Sequence, residues 1–461
     1  MLEAASGAGL GRSAARKPRD LQVSLYNLLL MTTRRGFLQA GGAAALAALS
    51  PRTPRAEGQE QTNASLPPSI AKLASIKDQA RPIQVQERQA RQEKGRRLME
   101  ANDLDAIVLA EGTSLNYFTG IHWWGSERLF AMVLPAQGSA FYVCPAFEEG
   151  RAREQIAAAP EGSQADVRTW QEDDSPYQRL AQGLKDRGLL TGKLGVEESM
   201  RFVFREGIAN AAPQAKLVSA TPVTAGCRMV KSLAELELMR LANHVTLTAY
   251  EAVYRSLQDG MTQVEVGRWI EAAHSRLGFP GDALVEVGEF SAFPHGSTQP
   301  QVIRAGTPIL IDGGCKVQGY QSDITRILVL GAAPDRVKKV FDIVHRAQAT
   351  ALTTARPGVE CGAVDAAARK VITDAGYGPD YKFFTHRVGH GIGMDGHEWP
   401  YLVRGNTVKM APGMTFSDEP GIYIRGEFGV RLEDDMHVTE NGAELFTPQS
   451  PSLDAPFGKP S

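Results

Sequence analysis

The stretch Ile309-Leu310-Ile311-Asp312-Gly313-Gly314, continuing through Lys316-Val317-Gln318-Gly319 into Ser322-Asp323-Ile324-Thr325-Arg326, limits the possible folds more than any other part of the chain. Two apolar runs flank a polar, glycine-containing turn, which is the pattern of a hairpin with buried strands. Asp312 and Asp323 sit symmetrically about a centre between Val317 and Gln318. On adjacent strands they would come near enough to share a ligand. An aspartate at the end of a buried strand needs a partner, because an unpaired carboxylate is costly to bury. Taken alone, the pair could equally be two turn-flanking aspartates that cap loops.

Three further stretches carry the same kind of residue. In Arg387-Val388-Gly389-His390-Gly391-Ile392-Gly393-Met394 the glycines beside His390 let the backbone approach a ligand closely. A single histidine there would more often be a hydrogen-bonded core residue, but His386, His390 and His397 place three of the nine histidines within twelve residues. Met414-Thr415-Phe416-Ser417-Asp418-Glu419 is a strand that delivers Glu419 to a Pro-Gly turn. In Gly429-Val430-Arg431-Leu432-Glu433-Asp434-Asp435, strand alternation puts Arg431 and Glu433 on one face. By itself such an acidic run is usually a solvated edge. Together, Asp312, Asp323, His390, Glu419 and Glu433 are four carboxylates and one imidazole. Brought together without cations they would raise one another's pKa values and strain the fold. Two divalent ions would neutralise them, and an oxygen-rich set with one imidazole suits Mn²⁺, Co²⁺, Fe²⁺ or Zn²⁺.

The rest of the sequence frames this cluster. The 461 residues, 43% of them hydrophobic, allow two or three domains with sizeable cores. A net charge of −2 gives no basic field for nucleic acid. The four cysteines contain no CxxC pair, which argues against a zinc ribbon or a disulfide framework. After a polar lead-in at 57–85 and a helix from Gln86 to Asn102, buried strands are expected at 106–110, 130–134 and 140–143. Helices around 146–158 and 176–187 alternate with them, giving an α/β unit that ends near Thr224. A second unit opens at Lys231-Ser232, where Ser232 and Glu235 form a capping-box pattern. Helix runs on through Arg240, with more at 242–257, 263–277, 335–355 and 362–376. Strands are expected near 308–312, 323–330, 414–418 and 429–439.

The N-terminus reads as targeting sequence. Residues 1–30 look like an upstream extension, and Met31 is the better start. Thr33-Arg34-Arg35-Gly36-Phe37-Leu38 resembles the twin-arginine export motif, and the small apolar run Ala40–Leu49 fits a signal peptide rather than a membrane helix. The other reading is a basic, disordered N-terminus. Cleavage near Ala56 would remove 8 Lys+Arg and 2 Asp+Glu and leave a net charge of −8. Later in the chain, no stretch approaches the ~20 apolar residues of a stable membrane anchor.

In order and spacing these motifs resemble the pita-bread metallopeptidases, the family of prolidase, Xaa-Pro aminopeptidase, methionine aminopeptidase and the metal-free creatinase. The resemblance covers about 230–445, and Asn116-Tyr117-Phe118-Thr119-Gly120 is similar to a segment of the family's N-terminal domain. It implies an α/β creatinase-like N-terminal domain at 57–228 and an α+β pita-bread catalytic domain at 229–461, behind an extension and signal peptide at 1–56. It implies a dinuclear metal site, with Mn²⁺ preferred, in which Asp312 chelates one ion, Asp323 and Glu433 bridge, and His390 and Glu419 complete the second position. Glu419 would also shuttle the proton, and His397 would stabilise the carbonyl oxygen. His295 would contact substrate, Arg431 would orient Glu433 or the substrate, and His386 would either contact substrate or pack behind the site. The implied activity is hydrolysis of the bond before proline in a small peptide with proline second. Arg404, on the loop between His397 and Glu419, would clamp the proline carboxylate of an Xaa-Pro dipeptide, although it could equally be a solvated loop residue. The alternatives are an Xaa-Pro aminopeptidase acting on longer peptides, a lyase or other hydrolase on the same scaffold, and a binding relic. Gly314 stands where the family's lyases are expected to carry aspartate, and the intact ligand set argues against a relic. Trp123 and Trp124 suggest a homodimer through the N-terminal domain, or simple packing within it. The export motif implies a periplasmic or secreted protein.

Overall fold

The computed structural model describes residues 66–458, so the twin-arginine segment, its upstream extension and residues 57–65 of the lead-in lie outside the described residues. Apolar runs bounded by turns build the first sheet. β1 (Ala106–Ala110), β2 (Ala131–Pro135), β3 (Phe141–Pro145), β4 (Asp166–Trp170), β5 (Lys193–Val196) and β6 (Lys216–Ser219) pair in the order β4-β3-β2-β1-β5-β6. β1 runs antiparallel to β2 and parallel to β5. Every β1 residue is buried, with Ile107 and Leu109 in one core and Ala106, Val108 and Ala110 in another. A strand covered on both faces reads as an unbroken apolar run, as it does here. Helix Val85–Ala101 contributes Met99 to the first core, and helix Pro176–Asp186 contributes Leu180 and Leu184 to the second. The helix expected at 146–158 is shorter, a 3₁₀ turn followed by Glu149–Ile156.

The second half opens on the expected capping box. Ser232 Oγ accepts from the Glu235 amide at 3.4 Å, and the Glu235 carboxylate accepts from the Ser232 amide at 2.8 Å. The helix does not break near Arg240 but runs as one piece over Leu233–Tyr254. No glycine or proline interrupts that span, so the backbone has no reason to stop.

β7 (Gly281–Val287), β8 (Pro308–Val317), β9 (Tyr320–Gln321) and β10 (Ile324–Val329) form the next sheet, in the order β10-β8-β7 with β9 against β8. The hairpin turns on Gln318 and Gly319, both left-handed at φ 50° and 91°. Its centre therefore lies one bond later than the symmetry of the two aspartates suggests. Thr325, not Asp323, stands opposite Asp312. A shift of two residues preserves the face, so Asp323 remains a diagonal neighbour of Asp312.

β11 (Gly389–Gly391), β12 (Glu398–Leu402), β13 (Thr415–Asp418), β14 (Gly421–Ile424), β15 (Phe428–Arg431), β16 (Asp434–Val438) and β17 (Ala443–Leu445) complete the half. Five pair in the order β12-β11-β13-β16-β17, and β14 and β15 form a separate hairpin. The strand expected at 429–439 is thus cut between Arg431 and Asp434, where the chain passes from the hairpin into the five-stranded sheet. Glu433 sits in the cut. Its amide donates to Thr325 O at 3.2 Å and its carbonyl accepts from the Thr325 amide at 3.3 Å, so the crossing is stitched to β10. Helices Asp335–Thr354 and Cys361–Asp374 cover the outer side through Val340, Val344, Val364 and Ala368, which share a core with Phe416 and Met436.

The halves meet at a buried polar knot. Arg91 donates to Tyr117 O at 2.9 Å and to Tyr320 Oη at 2.7 Å, and lies 3.2 Å from Glu235. Tyr320 in turn donates to Glu235 Oε1 at 2.8 Å. Among the described residues no helix is long and apolar enough to cross a membrane.

Candidate active site

Five carboxylate and imidazole groups far apart in sequence converge between the two catalytic sheets. Ligand-type atoms of Asp312, Asp323 and Glu433 lie within 4.8 Å of one another, and so do those of His390, Glu419 and Glu433. Each comes from a different structural cause. β8 presents Asp312, and Asp323 sits just ahead of β10, its amide donating to Asp435 at 2.9 Å. Glu433 occupies the crossing between β15 and β16, and Glu419 follows the last residue of β13. β11 brings His390 in because Gly389 has no side chain: a Cβ there would sit 2.0 Å from Ser417 O on β13.

The hydrogen bonds orient the imidazole. His390 Nδ1 donates to the Gly391 carbonyl at 3.1 Å, which leaves Nε2 with its lone pair toward Glu419 Oε1 at 3.4 Å and Asp323 Oδ2 at 3.9 Å. Burial holds the ring near 3, so it stays neutral and able to ligate. The carboxyls go the other way. Burial raises Glu419 to about 7, and it raises Asp323 and Glu433 well above the carboxylate range, with neighbouring acids adding to the rise. Thr325 Oγ1 lies 2.6 Å from both Asp312 Oδ1 and Glu433 Oε2, yet a hydroxyl donates only once. One of those contacts is incomplete without a proton or a cation. Carboxylate oxygens around one open imidazole nitrogen fit a pair of divalent ions of the Mn²⁺, Co²⁺, Fe²⁺ or Zn²⁺ kind.

Around this cluster stand the other sequence-predicted residues. Arg431 donates to Asp312, to Thr325 Oγ1 at 3.0 Å, to Pro294 O at 3.1 Å and to Tyr423 Oη at 3.1 Å. It ties β15 to β8 and lies 3.9 Å from Glu433 Oε2. His386 uses both ring nitrogens within the protein, 2.8 Å from Arg387 O and 2.7 Å from Tyr423 Oη. Its ring packs beside Glu419 with Nδ1 3.7 Å from Oε2. His397 stacks on His390 with centroids 3.6 Å apart and comes within 4.8 Å of Asp323 and His390. The exposed His295 follows Pro294, whose carbonyl Arg431 holds, and its charge would act on both His386 and His397. Arg404 is not drawn into the cluster. It is half exposed and pairs with Asp380 Oδ1 at 3.1 Å.

Several contributors escaped sequence reasoning. Arg387 donates to His397 Nδ1 at 3.2 Å, which assigns the ring hydrogen to Nε2. Thr325 and Tyr423 carry the hydrogen-bond frame just described. Asp434 and Asp435, legible as a solvated acidic edge, are fully buried; Asp434 pairs with the equally buried Arg326 at 2.6 Å. The apolar neighbours Ile324, Ile327, Leu328 and Val329 on β10 were the available signal that Arg326 needs an internal partner, and all six positions of the strand are buried. Trp123 is covered by stacking on Phe130 at 4.1 Å, while Trp124 is exposed beneath Arg151.

Comparison with known proteins gives the arrangement its relatives. Residues 237–440 match the metallopeptidase family M24, and residues 91–230 match the creatinase/prolidase N-terminal domain. The chain is 31% identical over 363 residues to an Xaa-Pro dipeptidase of Lactobacillus delbrueckii subsp. lactis, an alignment covering 77% of this chain and 96% of that protein. Among solved structures, dipeptidase PepE from Mycobacterium ulcerans superposes with a TM-score of 0.76 at 33% identity, over 81% of this chain and 99% of that one. A prolidase from Thermococcus sibiricus superposes with a TM-score of 0.71 at 30% identity, over 78% and 96% respectively.

Proposed function

The chain belongs to metallopeptidase family M24, and from that premise we propose that it is an Xaa-Pro dipeptidase, a hydrolase that cleaves the bond before a C-terminal proline. The observation that carries the reading is the convergence of Asp312, Asp323, His390, Glu419 and Glu433 into overlapping groups of ligand atoms. Membership of the family implies divalent metal ions. Asp312, Asp323, His390, Glu419 and Glu433 would hold these ions, Asp312, Asp323 and Glu433 forming one group of ligand atoms and His390, Glu419 and Glu433 the other. Mn²⁺ is the preferred identity for so oxygen-rich a set. Bound there, the ions would supply Lewis acidity and balance the buried carboxylates.

The protein's own groups do the rest. Glu419, at the edge of the cluster beside His390, is placed to take a proton from water and hand it to the departing proline nitrogen. His397 offers Nε2–H to the carbonyl oxygen as negative charge develops there. Arg387 holds the other nitrogen of that ring, and Arg431 fixes Asp312. His295 stands at the exposed rim, placed to meet substrate, and His386 supports Glu419 from behind.

A second reading is favoured by one contact. Arg404 is engaged by Asp380, so it is not held ready for a proline carboxylate, and an Xaa-Pro aminopeptidase would need no such clamp. Protein loaded with Mn²⁺ and incubated with Ala-Pro and Ala-Pro-Ala separates the two on product chromatography. Faster cleavage of Ala-Pro supports the dipeptidase, faster cleavage of the tripeptide moves the assignment, and cleavage of neither removes the peptidase reading. Asp323→Ala should abolish turnover and lower bound metal in the same experiment.

Two further proposals concern context. The Arg34-Arg35 segment supports export through the twin-arginine route to the periplasm or beyond. The exposed Trp124 supports a homodimer through the first half, which sedimentation at assay concentration tests.

A further inference from the structure

A cavity of about 270 Å³ opens beside His397, between the first sheet and the catalytic half. One wall follows the carboxyl ends of the adjacent parallel strands β1 and β5, where open α/β sheets gather ligands. It contributes Glu111, Ser114, Glu197 and Glu198. The other wall is the segment from Asp395 to Tyr401.

The charges in it do not balance. Among the described residues Arg228 is the only cationic side chain lining the cavity; it pairs with Asp395 and Glu398 of the opposite wall, and Lys231, behind that wall, also holds Glu398 at 2.6 Å. Glu198 accepts from Trp399 Nε1 at 3.1 Å and from Thr221. Glu111 and Glu197 are left over. The nearest cation to Glu111 is Arg201, 4.0 Å from Oε1, while Oε2 is buried without a hydrogen-bond partner. Glu197 is 7% exposed and forms no ion pair among the described residues. Ser114 Oγ, fully buried, stands beside the Glu197 carboxyl without hydrogen-bond geometry and has no other partner. Burial raises the pKa of both glutamates, partly offset by Arg201 at Glu111 and by Ser114, Arg228 and Ser199 at Glu197, and a bound cation would reverse that rise. Trp399 and Tyr401 give the same space aromatic walls.

We propose that this cavity is a specificity subsite for the cationic side chain of the substrate's first residue, lysine or arginine. The proposal rests on the Xaa-Pro reading given above. A proline carboxylate would be repelled here, so the cavity belongs to the amino end of the peptide. The α-amine lies one carbon from the reacting carbonyl and cannot use a space of this size. A long aliphatic stem along Trp399 and Tyr401, ending in a cation at Glu111 and Glu197, matches both its walls and its charge.

The test compares Lys-Pro with norleucine-Pro, which has the same stem and no charge, in the metal-loaded enzyme and in Glu197→Gln. The wild-type kcat/KM should favour Lys-Pro by about tenfold or more, and the ratio should fall toward one in the variant. A wild-type ratio near one overturns the proposal. So does an equal loss on both substrates in Glu197→Gln, which would place the α-amine in the cavity instead. If that variant does not fold, Glu111→Gln is read the same way. If neither dipeptide is cleaved, the dipeptidase reading fails separately, and calorimetric binding of agmatine then decides: binding weakened in the variant upholds a cation site, and no binding by wild type removes it.

Discussion

A neutral histidine has one N–H to donate, and in this site Arg387 fixes which nitrogen of His397 carries it by donating to the other. Replacing Arg387 with methionine frees the His397 ring to change tautomer and turn. Turnover should drop on the order of tenfold to a hundredfold, less than the loss of the donor itself, with metal content by emission spectroscopy unchanged. His274 gives a different expectation. Its Nδ1 faces Ile270 O at 3.0 Å and its Nε2 faces Thr246 Oγ1 at 3.3 Å, and burial lowers its pKa from 6.5 to about 4. Between those values the unfolded chain takes up a proton that the folded chain refuses. Stability is therefore intact above 6.5 and is lost as pH falls toward 4, by up to about 3 kcal/mol. The stability difference between wild type and His274→Gln, from thermal melts across that range, should shrink by this amount as the pH falls. The cluster of acids and His390 was legible because so many costly groups sit on strand-like sequence. Arg387 and Thr325 were not, because each works through another side chain across a gap in sequence, from Thr325 to Glu433 in one case.

At the level of elements, the hairpin between β8 and β10 admits no side chain at Gly314. A Cβ there would meet Ser322 O at 1.7 Å, so even alanine must push the strands apart. Gly314→Ala should cost about 1–3 kcal/mol in urea unfolding and reduce bound metal, since Asp312 and Asp323 flank the distortion. The same contact shows why an aspartate at this position would not suit this hairpin. Strands whose residues are covered on both faces, such as β1 and β10, could be read directly. β4 and β6 could not: Asp166, Arg168 and Lys216 interrupt them, and neither is deeply buried. The symmetry of the two aspartates places the hairpin axis one bond too early, since Thr325 stands opposite Asp312. The left-handed pair Gln318-Gly319 sets it instead. The break at Glu433 has no composition signal, because Val430, Arg431 and Leu432 lead into Glu433 as a strand would.

For the whole molecule, one core cluster runs from Ile70 to Phe446 and takes side chains from both halves. Calorimetry should therefore show a single transition with matching calorimetric and van't Hoff enthalpies. Arg91→Met should lower its midpoint, at a cost of about 3–5 kcal/mol, by leaving Glu235 charged and unpaired at 3% exposure. Chelation should lower the midpoint in wild type, because ions that bind only the folded site stabilise it by mass action.

The crossing at Glu433 also bears on how the protein is made. Asp312 is the first of the five to leave the ribosome, and Glu433, the last, follows more than a hundred residues later. Until β15, β16 and the turn between them have been synthesised and laid against Thr325, the nascent chain holds acids without a closed pocket for them. Metal capture therefore belongs to the final stage of folding, in whichever compartment folding finishes. A chain carried out already folded would take its metal from the cytoplasm rather than from its destination.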